Sequence, residues 1–252
     1  MRDARLRRAL LAACALCCVP FAHAQVSGSV GVVSDYRYRG YSLSDGEPAV
    51  QASVAYDAAS GAYAGVFASS ARYADATGVQ WLPYAGIARR DAQGRSWDVG
   101  VRVSHFSGDA DYDYLEAHVG LAFRRFAIRA HYAPDYFGQV SNAYFEIDGS
   151  VPMGERVRFL WHAGVARSGE GEAVYYYDPD PDPYGGHDPG YYRQRDGDRT
   201  RVDVRTGVSI TTRACDVQLT WQRVDGGDAA AYTVPWNPND RAGWVLGCAR
   251  RW

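Results

Sequence analysis

The chain contains no lysine: every one of its 27 basic residues is arginine. That absence alone points to no function. Cysteine is sparse, with five residues, three of which (Cys14, Cys17 and Cys18) fall within the first 24 positions. Cys215 and Cys248 remain, too few and without neighbouring ligands at the spacing a zinc site requires. No apolar run approaches the ~20 residues needed for a helical membrane span. No basic patch or stripe appears either, which argues against nucleic acid as a partner. The whole chain carries 27 basic and 29 acidic residues, net −2. Residues 1–24 hold four Arg and one Asp, so residues 25–252 stand at −5.

Those first 24 residues read as an export signal. Arg2, Arg5, Arg7 and Arg8 form a basic start, Ala9 to Phe21 an apolar core, and Ala22-His23-Ala24 a small-residue cleavage site. Leu11-Ala12-Ala13-Cys14 looks like a lipoprotein box, but the apolar stretch before the cysteine is very short. The expected organisation is a signal peptide, 1–24, followed by one domain, 25–252.

In that domain tyrosine and glycine are abundant, with 19 Tyr, 7 Trp and 27 Gly in the chain. The apolar residues recur at every second position in segments of about ten, the pattern of strands with one face in lipid. Val30, Val32, Tyr36 and Tyr38 alternate with Ser29, Asp35, Arg37 and Arg39 in a first segment spanning 26–39. Segments at 49–57, 97–104, 115–123, 126–132, 143–151, 157–165, 202–210 and 217–222 repeat the beat. At 62–73, Tyr63, Phe67 and Tyr73 are expected outside and Ser70 and Arg72 inside. The phase of 80–90 is unclear, and Pro83 weakens it as a strand. The last run, Trp244, Leu246, Cys248, Arg250 and Trp252, ends on an aromatic as outer-membrane strands do, although an apolar residue is usual in place of Arg250.

About twelve strands result, an even number as bacterial barrels require. Turns after even-numbered strands are short (58–61, 91–94, 124–125, 152–155 and 211–214), whereas the opposite side holds the two longest connections, 168–199 and 225–241. Short and long connections therefore sort to opposite rims. Cys215 and Cys248 both fall near the short-turn rim and point outward, which suggests a disulfide in an oxidising compartment. Two free thiols are the alternative.

The opening of the domain reads Ser34-Asp35-Tyr36-Arg37-Tyr38-Arg39-Gly40-Tyr41-Ser42, then Pro48-Ala49-Val50-Gln51. This resembles the TorF family of porins, with its Ser-Asp-Tyr-x-x-Arg-Gly-x-Ser and Pro-Ala-x-Gln motifs. Ser60-Gly61-Ala62-Tyr63-x-Gly65 and Asp135-Tyr136-Phe137-Gly138 are similar to later parts of that family. Phe67 stands where the family has tryptophan, and Ala52 where glycine is usual. The resemblance implies an all-β, antiparallel transmembrane barrel in the outer membrane.

On this reading Asp35, Arg37, Arg39, Arg72, Arg102, Glu116, His118, Arg129, His131, Glu146, Asp148, Arg158, Asp203 and Arg205 line the lumen. Mixed charge across a narrow lumen either selects permeating solutes or fills the barrel with ion pairs. About twelve strands leaves that open. The expected function is passive diffusion of small solutes, with a structural or loop-mediated surface role as the alternative. A hydrolase is the rival class, with Ser104-His105 and Glu116 with His118 as its candidate residues. Tyr175-Tyr176-Tyr177 and the Asp-Pro repeat at 178–183 mark an outer loop whose carboxylates either bind Ca²⁺ or simply flank stiff prolines. Ser42, Asp45 and Gly46 read as a surface turn. No cofactor is implied. The expected partners are outer-membrane lipid and lipopolysaccharide, the barrel-assembly machinery, and small solutes or ions.

Overall fold

The computed structural model describes residues 25–73, 76–138, 140–169, 175–178, 190–193, 200–226 and 241–252. The expected signal segment and lipoprotein box, 1–24, lie outside these residues, as do most of the two longest connections. The described residues form sixteen strands. They are β1 (Gln25–Val33), β2 (Arg37–Tyr38), β3 (Tyr41–Ser42), β4 (Ala49–Asp57), β5 (Ala62–Tyr73), β6 (Ala76–Arg90), β7 (Ser96–Phe106) and β8 (Tyr114–Ala122). The second half adds β9 (Phe126–Tyr136), β10 (Val140–Pro152), β11 (Val157–Ser168), β12 (Tyr175–Asp178), β13 (Gly190–Arg193), β14 (Thr200–Thr211), β15 (Asp216–Gly226) and β16 (Ala242–Arg251).

Twelve of these close into one antiparallel barrel, in the order β1-β16-β15-β14-β11-β10-β9-β8-β7-β6-β5-β4. The remaining four form two separate hairpins, β2-β3 and β12-β13. Closure leaves no strand edge, so every spanning strand has a neighbour on each side to satisfy its backbone in lipid. The seam joins the two ends of the domain: Val30 pairs with Arg250 and Val32 with Cys248. Gly28 and Trp252 exchange both backbone hydrogen bonds, at 3.1 and 3.2 Å. Gly28 is required there, because a Cβ would lie 2.5 Å from the Trp252 ring.

The alternation expected from sequence sets the two faces. Val30, Val32, Val99, Val101, Leu115, Val119, Phe145, Val202, Val204, Leu219 and Leu246 are exposed on the outside. Trp97, Phe123, Phe126 and Trp252 are exposed aromatics towards the short-turn rim. Trp81, Tyr132 and Trp244 are exposed further along their strands. An apolar belt with aromatic residues near its boundaries fits a bilayer-spanning barrel. Cys215 and Cys248 form a disulfide with Cα atoms 5.9 Å apart, tying the β14–β15 turn to β16.

Three expectations are corrected. The first barrel strand ends at Val33, not Arg39, because the chain turns inward after Ser34. In β5 the phase is inverted: Ala62 and Ala64 face outward, while Tyr63 and Phe67 face the lumen. Aromatic residues are favoured inside here because Phe67 packs on Tyr36 and Tyr63 Oη reaches His118 Nε2 at 3.1 Å. That phase places Arg72 on the outward face at the long-loop rim, 3.8 Å from Asp45, so it does not line the lumen. The ambiguous 80–90 segment is a full strand with Gln80 and Leu82 buried inside and Trp81 outside. Pro83 pairs with Val66 of β5, while cross-pairing to β7 skips Leu82 and Pro83.

Candidate functional site

The segment that leaves β1 is the organising feature of the lumen. Asp35 fixes its base: Ser42 Oγ donates to Asp35 Oδ1 at 2.6 Å and Arg37 Nε to Oδ2 at 2.5 Å. The Tyr36 N–H donates to Ser44 Oγ at 2.9 Å, closing the turn from the other side. Between these anchors β2 and β3 pair, Arg37 opposite Ser42 and Tyr38 opposite Tyr41. Arg39 and Gly40 form the two-residue connection, with φ of 49° and 88°. Positive φ at both central positions is the signature of the primed hairpin turns. Gly40 is needed for space as well, since a Cβ would sit 2.7 Å from that of Val224.

The hairpin therefore points Arg39 into the barrel. Asp35, Arg37 and Arg39 reach the interior from this inserted segment rather than as a ladder on β1. Ser42 is buried within it, whereas Asp45 and Gly46 make an exposed turn with positive φ. The tip is held by charge and by rings. Arg39 Nη2 donates to Glu116 Oε2 at 2.6 Å, and its guanidinium carbon lies 4.1 Å from the centroid of Tyr144. Behind it, Tyr36, Tyr41, Leu43, Phe106, Tyr114, Tyr136, Phe137 and Val224 form a buried apolar cluster. The Leu43 carbonyl accepts from the Arg72 N–H at 2.7 Å, which stitches the segment to β5.

Glu116 is the hub of the charge network. Only 1% of it is exposed, and besides Arg39 it pairs with Arg102 and lies 2.9 Å from His131 Nδ1. Alternation on β10 sends Glu146 and Asp148 inward together, and β11 places His162 opposite Asp148. His131 Nε2 lies 3.0 Å from Glu146 Oε1. His162 Nδ1 lies 2.9 Å from Asp148 Oδ1, and its Nε2 lies 2.8 Å from Asp203 Oδ1. Arg205 Nη2 donates to Asp148 Oδ1 at 2.9 Å. A smaller group nearer the short-turn rim joins His118 to Asp98 at 3.0 Å and Arg129 to Asp98 at 3.7 Å. Arg158 stands apart, exposed towards the same rim and bonded to Ser150 Oγ.

Of the fourteen residues read as lumen-lining, the network joins Arg39, Arg102, Glu116, His131, Glu146, Asp148, Asp203 and Arg205. Sequence reading left out His162, although alternation places it inward, and it omitted Tyr38, Tyr144 and Gln80. Tyr38 Oη accepts from Arg102 Nη2 at 2.6 Å, and Tyr36 Oη donates to Gln80 at 2.6 Å. A polarity rule passes over tyrosine because its ring is apolar and only its tip is polar.

Two cavities adjoin the hairpin, one with a polar, charged lining and one with a mixed polar and apolar lining. One, of about 170 Å³, is bounded by Arg39, Glu146, Asp148, His162 and Asp203. The other, of about 250 Å³, lies against Gln51, Phe67, Gln218, Thr220 and Val245. Arg37, Arg205 and Gln222 belong to both walls.

A closed twelve-stranded barrel with an apolar belt and a polar, charged interior is an outer-membrane β-barrel. The chain belongs to the family described as a bacterial protein of unknown function (Gcw_chp), whose model matches residues 19–179, more than half its length. No curated protein matches it. Among solved structures, an outer-membrane channel from Pseudomonas putida F1 is similar, with 10% identity and a TM-score of 0.51 over 90% of this chain and 94% of that one. The KdgM porin gives 8% identity and a TM-score of 0.49 over 90% and 98%, and the NanC porin 9% and 0.49 over 89% and 98%. At such identities the likeness to the Pseudomonas channel speaks for the fold alone.

Proposed function

We propose that this barrel is a narrow, TorF-like porin that passes small solutes or ions by diffusion, with the Arg37–Ser42 hairpin as its constriction. The observation that carries this reading is the pair of cavities flanking Arg37 inside a closed barrel. Charged groups dominate the wall of one, and amide, hydroxyl, arginine and apolar side chains share the wall of the other, so a hydrated solute meets hydrogen-bonding partners at the constriction. The TorF-like assignment rests on the Ser34–Ser42 motif, whose Asp, Arg, Gly and second Ser each hold or shape the hairpin. The proposal includes export through the 1–24 signal and insertion by the barrel-assembly machinery into a Gram-negative outer membrane, among lipid and lipopolysaccharide.

Catalysis is not part of the proposal. Ser104 is buried and accepts from Gln80 Nε2 at 2.9 Å, while neighbouring His105 faces the other way, 2.6 Å from Asp113. Adjacent residues on a strand cannot converge on one substrate. The alternative, a non-conducting barrel, is favoured by the buried apolar cluster behind the hairpin. Single-channel recording of purified, heat-modifiable protein in planar bilayers separates the two. Discrete conductance steps are expected; silence from folded protein would overturn the porin reading.

A further inference from the structure

We propose that the lumen holds a site for a first-row divalent transition cation, with Glu146, Asp148 and His162 as ligands and Asp203 behind the histidine. The proposal concerns binding and stands whether or not the barrel conducts.

Glu146 and Asp148 are two apart on β10 and so share its inner face, and His162 is Asp148's cross-strand partner on β11. One ligand atom from each of the three lies within 4.8 Å of the others, and among the described residues this is the only such group. His162 Nδ1 is 2.9 Å from Asp148 Oδ1 and 4.0 Å from Glu146 Oε2. Donors bonded to an ion at about 2.0–2.2 Å stand roughly 3 to 3.5 Å apart, so small side-chain rotations bring the set to bonding geometry.

The far side of the imidazole supplies the second observation. His162 Nε2 lies 2.8 Å from Asp203 Oδ1, on β14, and Tyr144 Oη donates to the other Asp203 oxygen at 3.1 Å. A ring nitrogen that donates to a carboxylate turns the lone pair of the other towards a metal, the carboxylate–histidine–metal arrangement. Here that lone pair points at two carboxylates, which repel it unless a proton or a cation lies between them. The site also has access: all four residues line the cavity of about 170 Å³. That volume holds an ion with several waters, at about 30 Å³ each.

Charge is consistent with a dication. Arg205 Nη2 at 2.9 Å from Asp148 and His131 Nε2 at 3.0 Å from Glu146 are the groups that share these carboxylates. Arg37, Arg39 and Arg102 also line the cavity and are paired with Asp35 and Glu116, so five carboxylates against four guanidiniums leave −1 when both histidines are neutral. Mixed imidazole and carboxylate ligation suits Zn²⁺, Mn²⁺ or Fe²⁺ more than Mg²⁺ or Ca²⁺, which prefer oxygen alone.

Zn²⁺ titration of folded, metal-stripped protein in detergent, by calorimetry and equilibrium dialysis, tests the site. One Zn²⁺ per chain is expected, undiminished by excess Mg²⁺. His162→Gln and the pair Glu146→Gln with Asp148→Asn should abolish it, and Asp203→Asn should weaken it about 10- to 100-fold. His105→Gln, outside the lumen, should leave it intact. Heat modifiability confirms that each variant is folded. Should a variant fail to fold, X-ray absorption of Zn²⁺-loaded wild type reads the ligands directly, one imidazole among oxygens. Absence of binding by folded wild type would establish an ion-pair network only, with His162 protonated between its carboxylates. Binding that survives His162→Gln, or is lost with His105→Gln, would also overturn the proposal.

Discussion

Arg39→Met keeps most of the apolar stem of the side chain at the hairpin tip while deleting its guanidinium and charge. In the wild type that charge is paired with Glu116 at 2.6 Å and stacked over Tyr144 at 4.1 Å, with the Arg39 side chain 6% exposed. Breaking a buried ion pair costs about 3–5 kcal/mol, chiefly because the surviving charge is left unpaired. Glu116 is not left unpaired here, since Arg102 and His131 remain beside it. The lower end, about 3 kcal/mol, is therefore expected, with the lost cation–π contact included rather than added. At 1.4 kcal/mol per tenfold, that raises the undocked hairpin population about 100-fold. Glu116→Gln should be worse. It strands two guanidiniums at once, so the upper end, about 5 kcal/mol, applies.

Hydrogen exchange reads this directly. The Arg72 N–H donates to the Leu43 carbonyl at 2.7 Å across the join between β5 and the inserted segment, so it is protected only while the hairpin is docked; the Leu43 N–H, which donates to the Tyr36 carbonyl at 2.6 Å within the hairpin, is not such a reporter. When reclosing is fast, exchange follows the open population. Arg39→Met should accelerate the Arg72 amide about 100-fold, with barrel amides of β10 and β11 unchanged, and Glu116→Gln should exceed it. Channel open probability should rise in the same order. Unchanged exchange in Arg39→Met, or a milder effect in Glu116→Gln, would refute the account of Glu116 as a shared hub.

Two further outcomes are expected. Arg37 and Arg205 border both cavities and Arg39 only one, so Arg37→Ala with Arg205→Ala should move the reversal potential towards cation selectivity. An unmoved potential would take both residues out of the permeation path. Cys215 and Cys248 should resist alkylation until reduced, and reduction of a crosslink spanning 33 residues should cost roughly 3–4 kcal/mol. That loss should lower the temperature of the heat-induced mobility shift; free labelling of both thiols before reduction would refute the crosslink.

Most of the barrel is legible because a lipid-facing strand leaves little choice. Outward positions such as Val99, Val101 and Val103 must be apolar, and the period of two then fixes the inward set Asp98, Gly100 and Arg102. Strand β5 breaks this logic for a definite reason. Three of its outward residues are the small alanines Ala62, Ala64 and Ala68, while the inward ones include Phe67, which packs on the inserted segment, and Tyr63, which reaches His118. Polarity alone then names the wrong face and carries Arg72 to the wrong side. The charge network was half legible. Alternation supplies the inward carboxylates and arginines, but which of them meet depends on the stagger between strands, and on a loop that reaches across the lumen.

The inserted hairpin was hidden by the same rule that reveals the strands. Tyr36 and Tyr38 alternate with Arg37 and Arg39 as a continuation of β1 would, because a hairpin strand alternates as well. What separates the two is Arg39-Gly40, a turn with positive φ at both positions. Asn-Gly would have announced it; arginine is a poor turn residue and reads as one more lumen charge. Its place is explained by what the tip must do. An asparagine there would relieve the backbone but could not span the lumen to Glu116 and cover Tyr144. The strained conformation of Arg39 is thus offset by the buried contacts of its side chain, and the turn and the latch are one device.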